Sequence, residues 1–280
     1  MCNFTKLIDS FSSSSGEEQA FALDKFLEFE VCESAKMIAD SLNNLDKDDN
    51  GALQIKAINT LGFIGRQDVA YVGSTLVELL SHVDDVTRFE TLDALAELGY
   101  LPAIEKAISL IETDTEWLVR VSAIEALVTL TELNSQKVKD TIDALFKALK
   151  DDSSVVVRDY SAWAIAVLGD GRSIPALDEC FKGENEERVQ AMISLAKLYL
   201  GDLNSLETYT RILSRASSET VTPLLNALED LLSRGAKQLS NEDATLLKEK
   251  LHNISEIASE NEVAIQRIMA MIDTFKALQS

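Results

Sequence analysis

The sequence predicts an all-α solenoid of stacked helix pairs, and three observations predict it. One apolar register recurs along the chain at spacings of 34, 32, 38, 30 and 30 residues. Each recurrence is followed by a short break and then a second apolar-periodic segment. The composition is helical, with only 3 Pro and 11 Gly in 280 residues, too few for the turns of an all-β fold. A chain of this length strains a single compact core, but it suits an array whose units pack on their neighbours.

The register is clearest from Val157 to Asp170. With Arg158 as anchor, apolar or small residues fall at +3, +4, +6, +7, +8 and +10. The register returns at Gln54, Arg88, Arg120 and Arg188, and more weakly at Ser218. Position +7 holds Leu61, Leu95, Leu127, Ile165, Leu195 and Leu225. Position +10 holds Ile64, Leu98, Leu130, Leu168, Leu198 and Leu228. Position +3 holds Ala57, Thr91, Ala123, Ser161, Ala191 and Val221, small or β-branched residues that let helices approach closely.

The second segments are expected at 69–81, 101–111, 135–149, 173–182 and 203–214, with the three-to-four-residue period of amphipathic helices. The breaks hold Gly65, Gly99, Gly169 to Gly171 and Gly201, where left-handed glycines would end helices. Acidic turns at Asp48-Asp49, Asp84-Asp85, Asp114 and Asp151-Asp152 would cap the next helix. Residues 1–16 are expected to form a lead-in, flexible at Ser12 to Ser15. Residues 17–280 are expected to form one solenoid, with a degenerate first repeat at 17–47, core repeats at 48–234 and capping helices at 235–280. Ser15 with Glu18 forms a capping box, and Ser240 and Ser259 mark the last helix starts.

Val157-Arg158 through Leu168-Gly169-Asp170-Gly171-Arg172-Ser173-Ile174-Pro175-Ala176-Leu177 resembles the bacterial HEAT-like repeat, the type also found in phycobilin lyase subunits. Val119-Arg120 and Leu61-Gly62-Phe63-Ile64-Gly65 are similar copies. The resemblance covers about residues 48–232. It implies a right-handed α–α superhelix of the HEAT-like or armadillo type, with the first helix of each pair on the convex face and the second on the concave face. The tetratricopeptide pattern is absent.

The net charge of −21 opposes nucleic acid and anionic membrane as partners, because both need a basic face. It favours a basic protein partner. Cys2, Cys32 and Cys180 are too few and too scattered for a disulfide framework or zinc site. With no secretory leader, the expected location is the cytoplasm. No metal or cofactor motif is present. His82 and His252 are read as helix-terminal residues and Cys180 as a small core residue beside Leu177 and Phe181. The recurring arginines are read as a ladder of Arg–Asp contacts between repeats, with Asp114 and Asp152 as acids.

Two surfaces are candidates for partner binding. Projected at 100° per residue, the outward positions +2, +5 and +9 of the first helices are mostly polar, as at Glu90, Asp93 and Glu97 or Ser122, Glu125 and Thr129. In the Arg158 repeat they are Tyr160, Trp163 and Val167, which with Ile193 would form an exposed apolar patch; a bend of the stack or the terminal helices would cover it instead. On the second helices, Glu78, Glu105, Asp140, Asp143, Asp178, Glu179 and Glu207 would line an acidic groove. The expected function is a non-enzymatic scaffold or inhibitor of a basic protein, such as an immunity or antitoxin-like protein. The alternative, implied by the repeat resemblance, is a phycobilin lyase-like subunit acting on a tetrapyrrole-carrying protein.

Overall fold

The computed structural model describes residues 7–8, 11, 16–30, 32–45, 51–234, 241–257 and 261–279. The expected lead-in at 12–15, the Ser15 capping box, the Asp48-Asp49 turn and the helix starts at Ser240 and Ser259 lie outside them. The helices are α1 (Gly16–Glu28), α2 (Ala35–Ser41), α3 (Ala52–Ile64), α4 (Val69–Leu79), α5 (Asp85–Leu98), α6 (Ala103–Thr113), α7 (Trp117–Glu132), α8 (Val138–Asp151), α9 (Val155–Leu168), α10 (Ile174–Gly183), α11 (Glu187–Tyr199), α12 (Ser205–Leu213), α13 (Ser218–Ser233), α14 (Asn241–Ile257) and α15 (Glu262–Gln279). No strand occurs among the described residues. The fold is the all-α repeat expected, and every second segment falls within a few residues of its expected place. The chain divides into two compact units, residues 1–141 and 142–280, with the division inside α8.

The +7 residues explain the stacking. All six, from Leu61 to Leu225, are buried, and so are all six +3 residues. Each helix therefore buries its own apolar arc against its neighbours, and removing that surface from water is the main stabilisation of the array. Helices α3 and α5 approach closely at Gly62. A Cβ on Gly62 would stand 3.0 Å from the Ala94 Cα and 3.2 Å from its carbonyl oxygen. Gly62→Leu is expected to cost about 1–3 kcal/mol through overpacking, read as a lower urea midpoint; an unchanged midpoint would show that the two helices can part freely.

Local signals set the breaks. Asp84 accepts a hydrogen bond from the Thr87 N–H at 2.7 Å and caps α5. Gly99 ends α5 in the left-handed region at φ 72°, where glycine carries no Cβ penalty. Gly171 is not left-handed, and Gly65 and Gly169 also differ from expectation, with φ of −71° and −82°. The latter two are small for space: a Cβ would meet Val72 Cγ1 at 2.9 Å in the first case and the Ile165 carbonyl at 2.5 Å in the second.

The arginine ladder is observed with a changed pattern. Arg88 donates two bonds to Asp114, at 2.7 and 2.8 Å, and two to the His82 and Val83 carbonyls. Arg158 does the same with Glu184, at 2.7 and 3.1 Å, and with the Asp152 and Ser153 carbonyls. Arg120 reaches the Asp114 and Thr115 carbonyls. The residues six before Arg120 and Arg158 thus serve those arginines through their backbone, while the acid that pairs with Arg88 or Arg158 lies 26 residues later. Each such arginine ties its own loop to the start of the next repeat.

In unit 1 the first helices α1, α3, α5 and α7 pack on one another broadly, whereas α2, α4 and α6 touch thinly. A stack with one tight row and one splayed row bends toward the tight row. The arginine-bearing helices therefore line the inner side of unit 1, reversing the faces implied by the repeat resemblance.

Candidate partner-binding surface

The inner row of unit 1 presents the outward positions of α3, α5 and α7. Lys56 pairs with Asp24 of α1 at 2.7 Å, and Arg66 pairs with Glu97. Phe63 is exposed. Ser122, expected outward, is buried. Asp93 of α5 and Glu125 of α7 hold the +5 positions of this row. Both side chains reach solvent, yet protein walls them in on the inner side of the bend. Desolvation is the largest influence on each, followed by the Glu90 charge at Asp93 and the Asp93 charge at Glu125. Both carboxyls are pushed up to about 6. Among the described residues no cation pairs with Glu90, Asp93 or Glu125.

The expected apolar patch in unit 2 is not an open surface. Ile193 is fully buried, and Tyr160, Trp163 and Val167 are half-buried. The Trp163 indole N–H donates to Asp230 of α13 at 2.8 Å, and the Arg234 guanidinium lies 5.6 Å from its ring centroid. Tyr160 meets Trp163 edge-on, with ring centroids 6.1 Å apart and planes at 69°. Unit 2 bends so far that α9 and α13, two repeats apart, touch over α11. Residues 191–196 of α11 are buried on every side. The register explains Ile193 as well. Gln190, not Arg188, bonds the carbonyl six residues before it, that of Glu184, at 2.7 Å. Counted from Gln190, Ile193 is a close-packed +3 residue rather than an outward +5 one.

The expected acidic groove falls on the splayed, outer row of unit 1, and lysines offset part of it. Lys137 bridges Glu105 and Asp140. In unit 2, Lys197 holds Asp178 at 2.6 Å and Lys182 holds Glu179 at 2.7 Å. Glu78, Asp143 and Glu207 are exposed. Sequence reasoning passed over Asp93 and Glu125 as ordinary outward residues. The available signal was their shared +5 position on adjacent repeats, beside Asn59 and before Trp163.

Among the described residues no group of three or more His, Cys, Asp and Glu side chains could hold a metal ion, and no helix is long and apolar enough to cross a membrane. Cys180 is half-buried, and burial pushes its thiol up, away from a reactive thiolate. The His82 ring accepts from the Asp84 N–H at 3.1 Å in the turn before α5.

A fold of paired helices with a staple in successive repeats defines a helical-repeat protein. The family model for HEAT repeats matches residues 38–128 and 104–196, more than half of the chain, and the chain belongs to the HEAT-repeat family. It is similar to YibA of Escherichia coli, at 18% identity, over 88% of this chain and 96% of that one, with a TM-score of 0.51. It is also similar to the complex of CpcE and CpcF of phycocyanin lyase from Nostoc sp. PCC7120, at 17% identity, over 96% and 93%, with a TM-score of 0.49. No curated protein matches the chain.

Proposed function

We propose that this protein is a non-enzymatic binding protein whose unit 1 holds a basic segment of a protein partner on its inner face, at Asp93 and Glu125. One observation carries the reading. Two carboxyls on adjacent helices are both pushed up, Asp93 by burial and the Glu90 charge and Glu125 by burial and the Asp93 charge, and among the described residues no cation pairs with them. A lysine or arginine from a partner would relieve that repulsion, and its alkyl stem could lie against exposed Phe63. HEAT repeats commonly serve protein interaction, and the net charge of −21 would steer a basic partner toward the chain. A scaffold and an inhibitor of a basic enzyme would both use this face.

The test uses a fluorescent oligo-lysine peptide and its anisotropy at low salt. Asp93→Asn with Glu125→Gln is expected to weaken binding about fivefold or more, the equivalent of ~1 kcal/mol. Glu78→Gln with Glu207→Gln, on second helices, is expected to leave it unchanged. Wild-type affinity should rise as pH increases through about 6, because only the ionised carboxyls attract the peptide, and salt should weaken it. Equal losses in both double variants would sink the site, and no loss in either would sink the reading.

A further inference from the structure

The inner row of unit 1 changes character along its length. On α5 and α7 its outward positions are acidic or polar, as at Glu90, Asp93, Glu97, Glu125 and Thr129. On α1 and α3 they include Phe21 and Phe63, 58% and 52% exposed, the two most exposed aromatic rings among the described residues. We infer that the partner segment taken up on this face is bipartite: a bulky apolar residue seats on Phe63 of α3, and basic residues follow across the row at Asp93 of α5 and Glu125 of α7. This rests on the reading of Asp93 and Glu125 as the seat of a basic segment, and adds to it a second chemistry and an order.

Helix α1 carries the register of the row. Gln19 donates its side-chain amide to the Phe11 carbonyl at 3.0 Å, as Gln54 does to that of Leu42 at 2.9 Å. Counted from Gln19, the buried Ala22, Leu23 and Phe26 take +3, +4 and +7, and Phe21 and Asp24 take the outward +2 and +5. The Asp24–Lys56 pair joins this face of α1 to the outward face of α3. Lys25 stands 5.6 Å from the Phe21 centroid, yet most of that residue stays in water. Phe63 holds position +9, which is Glu97 on α5 and Thr129 on α7. With half its surface open it adds little to the stack, and an apolar side chain laid on it would remove that surface from water.

The charges divide in the same sense. Lys56 and Arg66 lie seven residues before and three after Phe63, on the same side of α3, and they hold Asp24 and Glu97. A cation brought to Phe63 would meet these like charges, whereas an apolar residue would not. Glu90, Asp93 and Glu125 then draw the cations to α5 and α7. Spacing sets the rest. Packed neighbouring helices lie about 8–10 Å apart. An extended chain with three residues per turn advances about 9 Å per turn, so its residues i, i+3 and i+6 match α3, α5 and α7 in order. Alternate residues of a β-strand, about 7 Å apart, fall short.

Fluorescent peptides at low salt test this on the full-length protein. The first is Phe-Pro-Pro-Lys-Pro-Pro-Lys, used with its reverse so that both chain directions are covered. The second has serine in place of phenylalanine. The third is Lys-Pro-Pro-Phe-Pro-Pro-Lys. Proline holds each in the three-residue turn. The tighter direction of the first is expected to bind about tenfold better than the second. Phe63→Ser is expected to remove that advantage and leave the affinity for the serine peptide unchanged. The third, with its ring over Asp93, should lose most of the advantage. The comparison of peptides on the unaltered protein holds whether or not the variant folds. Equal affinity of the unaltered protein for the first two peptides overturns the inference, as does an advantage that survives Phe63→Ser or the change of order. In either case, oligo-lysine binding that still falls in Asp93→Asn with Glu125→Gln would leave the basic site standing and remove only the aromatic seat. Oligo-lysine binding indifferent to those two residues would remove both.

Discussion

Arg88→Ala is expected to destabilise unit 1 by about 3–5 kcal/mol, the range for stranding one partner of a buried ion pair. The Asp114 side chain is 5% exposed and that of Arg88 11%. Without the guanidinium, the carboxylate keeps, among the described residues, only its bond from the Glu116 N–H at 2.9 Å, and the His82 and Val83 carbonyls lose their donor. Lysine cannot restore this, because one ammonium cannot fork to a carboxylate and still reach two carbonyls. The effect has a pH signature. Burial pushes Asp114 upward, but the hydrogen bonds from Arg88 and the Glu116 backbone and the nearby arginine charges outweigh it and hold the group below its ordinary value. A depressed carboxyl stabilises the fold above its unfolded value and loses that contribution as pH falls through its folded value. The gap between wild type and Arg88→Ala should therefore be widest near neutrality and narrow in acid. Urea unfolding at both pH values, with hydrogen exchange across 85–98, reads it. A loss under about 1 kcal/mol at neutral pH would mean that the arginine is a surface group in effect.

The ladder shows what could be read in the sequence and what could not. Leu61, Leu95, Leu127, Ile165, Leu195 and Leu225 were legible because burial along a stack is a local requirement that each helix meets in the same way. The second helices were legible for the same reason. The side of the bend on which each row lies was not, because curvature depends on how closely neighbouring helices pack, and an apolar period carries no record of that. Gly62 held the one hint, a helix-interior glycine that a close neighbour requires. The register at Arg188 slipped by two because α11 is apolar nearly all round, so Leu195 and Leu198 are buried whichever residue is taken as anchor. Only the bond from Gln190 to the Glu184 carbonyl separates the two readings. The Trp163–Asp230 contact joins residues 67 apart in sequence, across two repeats, and no pattern within one repeat can foretell it. Asp93 and Glu125 were visible as residues but not as a pair, since the Asp93 charge at Glu125 depends on the lateral packing of α5 on α7.

Asp159 leads to an expectation opposite in sign to that for Arg88. At this position, one after the anchor, other repeats carry Ile55, Phe89, Val121 and, counted from Gln190, Ala191. Asp159 is 1% exposed. Arg188 gives both its bonds to Oδ2, the Nε bond at 2.8 Å, and Oδ1 is buried with no hydrogen-bond partner. Desolvation outweighs the charge and hydrogen bonds of Arg188 and pushes the carboxyl up to about 6. The folded state then binds the proton more tightly than the unfolded chain, so stability falls as pH rises from the ordinary carboxylate value through about 6. A rise of roughly two units corresponds to about 3 kcal/mol. Asp159→Leu with Arg188→Met replaces the pair by apolar groups like those of the other repeats. It is expected to stabilise unit 2 at pH 7 by about 1–4 kcal/mol. Acidification to pH 5 should stabilise the wild type relative to this double variant, closing part of the gap, because protonation removes the same buried charge that the substitution removes. Arg188→Ala alone should go the other way and destabilise, since it leaves the charge without its one counter-ion. Unfolding of all three proteins at the two pH values separates the cases: a double variant less stable than wild type at pH 7 would mean that the Asp159–Arg188 contact contributes more to the α9–α11 interface than burying its charge costs.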